Sequence, residues 1–189
     1  MGEAKRLFKA AVEELLKIAD EPYAERIDLA VEAIVNCYIS GGKLLVFGNG
    51  GSAADAQHIA GELVGRFKQE RKALSAIALT TDTSILTAWS NDYGFESVFS
   101  RQVEAHGRPN DIAWGITTSG NSPNVVTALS RARELGLKTI AMTGAGGGRS
   151  AEHADILLAV SSKDTPRVQE AHEIGYHIIC RLVEERLFG

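Results

Sequence analysis

Five short runs of almost wholly apolar residues, at 43–48, 76–79, 112–116, 139–142 and 156–160, constrain this chain more than any other feature. A strand with one wet face alternates polar and apolar residues. A strand apolar throughout must be covered on both faces, as in a parallel sheet whose crossovers are helices. Helical patterns at about 53–66, 82–104 and 124–136 separate the runs. Strand–helix alternation of this kind predicts an α/β fold, a doubly wound five-stranded parallel sheet with right-handed crossovers.

Two helices precede the sheet. Residues 3–19 carry Leu7, Ala11, Leu15 and Ile18 at helical spacing. After a break at Pro22, a second pattern carries Ile27, Ala30, Val31, Ile34 and Ile39 and ends at Gly41-Gly42. One long helix, 167–188, follows the sheet, with Val168, Ala171, Ile174, Ile178, Leu182 and Val183 as its apolar stripe. Pro22, Pro123 and Pro166 each stand where a helix begins, two of them after Ser122 and Thr165, which is helix-start chemistry.

With 189 residues the chain has room for one domain, 1–189, made of leading helices over 1–40 and an α/β core over 41–189. Helices 3–40 and 167–188 offer more apolar surface than five strands need, which predicts a homo-oligomer, most simply a homotetramer with sites at its interfaces. Hydrophobic content of 44% and charged content of 23% exclude a disordered or fibrous chain. A net charge of −4 argues against direct nucleic-acid binding. No apolar stretch has the length of a signal peptide core or a membrane span. Cys37 and Cys180 read as small buried hydrophobes in a reducing compartment, so the expected location is cytoplasmic.

The first apolar run enters Gly48-Asn49-Gly50-Gly51-Ser52-Ala53, and a helix follows. Glycine allows close backbone approach, the free amides of a helix start bind anions, and Ser52 adds a hydroxyl. The third run enters Thr117-Thr118-Ser119-Gly120-Asn121-Ser122-Pro123. In a parallel sheet both loops lie at the carboxyl edge. Two hydroxyl-rich loops there predict a phosphorylated small molecule as ligand. The rival, a dinucleotide held by Gly48-x-Gly50-x-x-Ala53, wants an acid ending the second strand, and Asp82 lies too far along. The loop 143–149 has few hydroxyls and reads as a flexible connection, with a place at the border of the pocket as the alternative.

The helix after the first loop carries His58 and Glu62, four residues apart and so on one face. Such a pair can bind a divalent metal, move a proton, or simply be solvated. The last helix offers Gln169, Glu170, His172, Glu173 and His177. Glu170 and Glu173 read as solvated. His177, among Ile174, Tyr176, Ile178 and Ile179, reads as buried, either a satisfied core residue or a ligand. Gln169 and His177 are about 12 Å apart along a helix and offset by roughly 80°, so a shared site needs long reach or a second chain.

The motifs GNGGSAADAQHIAGELVGRF, SNDYGFESVFSRQVEA, TTSGNSPNVVTAL and RVQEAHEIGYHII agree in order and spacing with the sugar isomerase (SIS) domain family. Within it the chain resembles the phosphoheptose isomerases. That resemblance implies a flavodoxin-like SIS fold and conversion of sedoheptulose 7-phosphate to D-glycero-D-manno-heptose 7-phosphate for lipopolysaccharide heptose. It implies sugar-phosphate contacts from Asn49, Gly50, Gly51, Ser52, Glu62 and Gln169, sugar hydroxyl contacts from Asn91 and Asp92, and phosphate contacts from Thr117, Thr118, Ser119 and Ser122. It implies one zinc per subunit on His58, Glu62, Gln169 and His177, with Glu62 and His177 as catalytic base and acid. The chain is also similar to a non-catalytic SIS regulator that binds DnaA. It departs from some isomerases at Gly61 and Pro166, where those carry acids.

Overall fold

The computed structural model describes residues 2–19 and 22–189; Met1 and the expected break at Asp20-Glu21, ahead of Pro22, lie outside that range. The leading helices are α1 (Glu3–Ala19) and α2 (Pro22–Ile39). Then come β1 (Leu44–Gly48), α3 (Gly51–Val64), β2 (Ala76–Ala78), α4 (Thr83–Tyr93), α5 (Val98–His106) and β3 (Ile112–Thr117). The chain closes with α6 (Pro123–Glu134), β4 (Lys138–Thr143), β5 (Ile156–Ala159) and α7 (Thr165–Phe188). The segment expected as one helix over 82–104 is two helices. Gly94, at φ 91°, ends α4, and a short 3-10 turn over Phe95–Ser97 redirects the chain into α5. Glycine reaches that backbone region without the Cβ clash other residues meet.

All four strand pairs are parallel, in the order β2-β1-β3-β4-β5. The connection from β1 runs outward to β2, whereas β3 connects the other way, to β4. The order therefore reverses between β1 and β3, and their following loops diverge there to leave a crevice at the carboxyl edge.

Pleating sorts the apolar runs between two cores. Leu44, Val46, Ile112, Trp114, Ile116, Ile140 and Met142 face α2, α3 and α7. Leu45, Phe47, Ala113 and Ala141 face α5 and α6. Small residues on the second face bring α6 close: a Cβ at Gly115 would lie 2.9 Å from Val125 Cγ1. On the first face Gly175 in α7 makes room for Tyr23 of α2, whose hydroxyl donates to the Ala171 carbonyl at 3.2 Å.

A buried ion pair fixes the chain beneath α3. Glu184 of α7 accepts from the backbone amides of Phe67, Lys68 and Gln69 at 3.1, 2.7 and 3.0 Å and from Arg71 Nε at 3.1 Å. Burial raises the Glu184 pKa, but the three amides and Arg71 outweigh it and hold the carboxyl below its ordinary value. Arg71 also donates to the carbonyls of Leu63 and Glu62 at 2.7 and 2.8 Å, which pins the end of α3.

The last helix corrects two expectations. His177 is half-exposed, and its neighbours Ile174 and Ile178 are exposed. Adjacent residues on a helix point about 100° apart, so apolar neighbours in sequence did not report where His177 points. The core histidine is His172, fully buried, with Nε2 3.1 Å from the Thr143 carbonyl oxygen. Glu170 is half-buried and paired with Arg167 at 2.7 Å, not simply solvated; Glu173 is exposed as expected.

Burial lowers the His172 pKa from 6.5 to about 4, the Thr143 carbonyl opposing in part. The unfolded chain then binds the extra proton first, so stability falls as pH drops through the window from 6.5 to about 4. His172→Gln, whose amide can still donate to Thr143, should flatten that slope in urea denaturation at pH 7 and pH 5. An unchanged slope would assign the acid sensitivity elsewhere.

Candidate active site

The two loops expected to hold a phosphate meet across the β1–β3 crevice. Gly50, at φ 55°, turns the chain from β1 into α3. Gly48 must be glycine, because a Cβ there would lie 2.7 Å from the Ile116 carbonyl oxygen of β3. Ser122 caps the start of α6, with Pro123 in the first turn. Asn49 of the first loop and Asn124 of α6 exchange reciprocal amide bonds of 2.9 Å, tying the loops together. Both helices thus aim the positive ends of their dipoles at one crevice.

Thr117, Ser119 and Ser122 form a hydroxyl cluster. Thr117 Oγ1 lies 2.9 Å from Ser122 Oγ and 3.4 Å from Ser119 Oγ, and Ser119 Oγ accepts from the Asn121 amide at 3.1 Å. Thr118 is anchored by its carbonyl, which accepts from the Gly144 amide at 3.0 Å. Of the two readings of the loop 143–149, the structure takes the second: it borders the loop 117–122 rather than hanging free as a flexible connection. The Ser150 amide donates to the Gly120 carbonyl at 2.9 Å, and a Cβ at Gly120 would collide with the Gly147 carbonyl. Asp82, the acid of the dinucleotide reading, caps α4 by accepting from the Ile85 amide at 3.0 Å.

Beyond the first loop, α3 and α7 lie side by side and run the same way. Gln169 covers the Gly51 backbone, so a Cβ on Gly51 would lie 2.2 Å from Gln169 Nε2. Two turns further on, His58, Glu62 and His177 converge, with ligand atoms all within 4.8 Å of one another. His58 Nε2 is 3.1 Å from Glu62 Oε1 and 3.5 Å from His177 Nε2. Tetrahedral ligand atoms about 2.0–2.1 Å from a zinc ion lie roughly 3.3 Å apart, so the spacing and the nitrogen–oxygen donor set suit a divalent metal. Gln169 is not brought to this group: its contact at Gly51 is about 10 Å back along α3. Asn91 and Asp92 are exposed at the end of α4, where Asn91 Nδ2 donates to Asp92 Oδ1 at 2.9 Å.

Two residues of this site escaped the sequence reading. Tyr176 is buried, and its hydroxyl lies 2.9 Å from His58 Nδ1, on the opposite side of the ring from Glu62 and His177. Asp55, one turn before His58, is next to that hydroxyl, and its Oδ2 is buried without a hydrogen-bond partner. Burial lifts the Asp55 carboxyl to about 6, with Glu173 adding to the rise and His58 and Tyr176 opposing it. Asp55 shares a face with His58 by its i−3 spacing, which was a usable signal. Tyr176 had none, because only the packing of α7 on α3 delivers it.

The SIS domain family matches residues 7–144. The phosphoheptose isomerase of Citrifermentans bemidjiense is 56% identical over 186 residues, 98% of this chain and 96% of that one. The chain belongs to the SIS domain family, among the phosphoheptose isomerases. The phosphoheptose isomerase of Aquifex aeolicus is 55% identical over 185 residues, 98% of this chain and 96% of its own. The solved phosphoheptose isomerase of Neisseria gonorrhoeae superposes with a TM-score of 0.90 at 42% identity, covering 96% of this chain and 97% of that one. These relatives are named as enzymes, and the alternative of a non-catalytic regulator is not favoured.

The His58, Glu62 and His177 group makes metal binding directly testable. The purified protein should bind one zinc or cobalt ion per chain in chelator competition, and His58→Ala should weaken binding at least tenfold. Undiminished binding in that variant would remove His58 from the site.

Proposed function

We propose that this isomerase interconverts sedoheptulose 7-phosphate and D-glycero-D-manno-heptose 7-phosphate through an enediol, with zinc held by His58, Glu62 and His177. The observation that supports it most is the convergence of two imidazole nitrogens and a carboxylate two helical turns from a pair of anion-binding helix starts. That spacing suits a sugar phosphate anchored at one end and reacting at the other.

Thr117, Thr118, Ser119 and Ser122, at the start of α6, hold the phosphate. Asn49, Gly50, Gly51 and Ser52 line the opposite wall. Gln169, lying over Gly51, contacts the sugar and reaches the metal by a change of rotamer or through a second copy. Asn91 and Asp92, exposed at the end of α4, meet sugar hydroxyls. Zinc bound there supplies a Lewis acid that polarises the substrate carbonyl.

The proton inventory then closes on two side chains. Glu62 takes a proton from C1 of the ketose, and His177 gives one to the oxygen on C2. The resulting enediol returns its O1 proton to His177 and receives the Glu62 proton at C2, leaving the aldose and both groups as they began. The product class feeds nucleotide-activated heptose for lipopolysaccharide, in the cytoplasm. No helix among the described residues is long and apolar enough to cross a membrane.

Copies of the chain assemble as a homotetramer through the leading helices. Phe8 and Leu16 of α1 are 73% and 62% exposed, and Ile174 and Ile178 of α7 border an apolar groove of about 410 Å³ under α1 and α2. A patch of that kind on a monomer marks an interface.

Incubation with sedoheptulose 7-phosphate in deuterated water should give the heptose phosphate with deuterium at C2, followed by NMR. No turnover with zinc present would defeat the reading. Glu62→Gln should lower kcat by at least 10²-fold, within the range general-base catalysis supplies. Ile178→Asp with Leu16→Asp should yield smaller species in analytical ultracentrifugation, and a tetramer that survives both changes would move the interface elsewhere.

A further inference from the structure

Asn124, which has no part in the scheme above, stands 3% exposed in the first turn of α6. Its side-chain amide meets that of Asn49 in a reciprocal pair. Asn49 Nδ2 donates to Asn124 Oδ1, and Asn124 Nδ2 donates to Asn49 Oδ1, each at 2.9 Å. An amide carries a donor and an acceptor side by side, so two of them face to face satisfy each other. A carboxylate at either position would set two acceptors against each other, and an apolar side chain would strand both groups of its partner. Turning the Asn49 amide toward a sugar has the same cost: it leaves a buried donor and a buried acceptor on Asn124 unmade, where water does not replace them.

The pair joins two parts that are otherwise held separately. Loop 117–122 is fixed from its far side without help from Asn49. The Gly144 amide donates to the Thr118 carbonyl at 3.0 Å, the Ser150 amide to the Gly120 carbonyl at 2.9 Å, and the Arg149 amide to Asn121 Oδ1 at 3.0 Å. Helix α3 is pinned at its other end, where Arg71 donates to the carbonyls of Leu63 and Glu62. The start of α3 has no side-chain cap and follows Gly50, so the Asn49 amide is what ties it to α6. His58 stands about 10 Å along α3 from Gly51. The distance from loop 117–122 to His58 and Glu62 is therefore set at this contact.

We infer that Asn49 and Asn124 are a coupled pair of positioning residues: they hold the phosphate-binding wall at a fixed distance from the helix that carries His58 and Glu62, and the Asn49 side chain is engaged by Asn124 instead of by the sugar. The use made of that distance rests on the isomerase reading. The pair itself does not.

The test is a double-mutant cycle of Asn49→Ala and Asn124→Leu, the leucine filling a buried site without hydrogen bonds. Each single variant should lower kcat on sedoheptulose 7-phosphate about tenfold, inside the ~100-fold that a 1 Å misplacement can cost. The double variant should be no worse than either single. Inorganic phosphate, titrated into metal-free protein by calorimetry, should bind all four proteins within about twofold of each other, because loop 117–122 is held independently. A merely structural role would lower phosphate affinity and kcat together, which would overturn the inference. So would losses that multiply in the double variant, or a loss in Asn49→Ala well beyond that in Asn124→Leu, since either means that the Asn49 side chain touches the sugar. If Asn124→Leu does not fold, Asn124→Asp, of the same shape, takes its place in the cycle.

A heptitol 7-phosphate, which has no carbonyl and does not isomerise, gives the cycle a readout independent of turnover. Its affinity for metal-free protein should fall by one common factor in the three variants. That result in a protein without turnover would leave the pair standing and defeat the isomerase reading. Multiplying losses in a protein with turnover would do the reverse. Native protein that binds neither probe would overturn both.

Discussion

Everything in the site depends on where the strand order reverses. Five parallel strands buried on both faces require helices on both faces, and the order β2-β1-β3-β4-β5 makes neighbouring loops leave in opposite directions between β1 and β3. That divergence opens the crevice. It also sets the starts of α3 and α6 against each other, so two helix dipoles converge on one volume, and the Asn49–Asn124 amide pair holds the two walls in register. No other pair of adjacent strands in this sheet offers both conditions.

The second organising contact is α7 lying along α3. It delivers Gln169 to the Gly51 backbone, Tyr176 and His177 to the two sides of His58, and Glu184 to the turn beneath α3. The buried Arg71–Glu184 pair is costly to desolvate, and its value here lies in fixing the carbonyls of Glu62 and Leu63 and so the end of the helix that carries the carboxylate. One helix thus supplies Glu184, His177 and Tyr176 at successive points along α3 and the turn after it. Gln169, Tyr176 and His177 of α7 turn toward α3, and its apolar residues Ile174 and Ile178 remain at the surface beside α1.

Much of this was legible in the residues alone. Unbroken apolar runs, each ending in a glycine or hydroxyl loop, led to the parallel sheet, and all five strands formed within a residue or so of their expected bounds. The His58–Glu62 pair and the two loops followed from spacing, because i, i+4 contacts and strand-to-helix turns are local. Reading failed where the determinant was packing. His177 was expected inside and His172 had no assigned place, yet His172 is the core residue, because one turn of a helix exposes every azimuth and only the neighbouring elements choose which is buried. The kink at Gly94 was missed since a single glycine in a helical pattern is compatible with either outcome until φ is known.

The amino-acid order by itself determined the element types, their sequence along the chain, the parallel sheet and the residue types capable of binding a sugar phosphate. Those follow from periodicity, glycine freedom and helix-start chemistry, all of which act over a few residues. Only the tertiary structure decided which donors meet. It gathered His58, Glu62 and His177, left Gln169 two turns away and Asn91 and Asp92 on the surface, and brought in Asp55 and Tyr176. Residues more than a hundred positions apart become neighbours through the burial of helix faces against a common sheet, and the azimuth at which α7 settles on α3 is set by the sum of those contacts rather than by any motif along the chain.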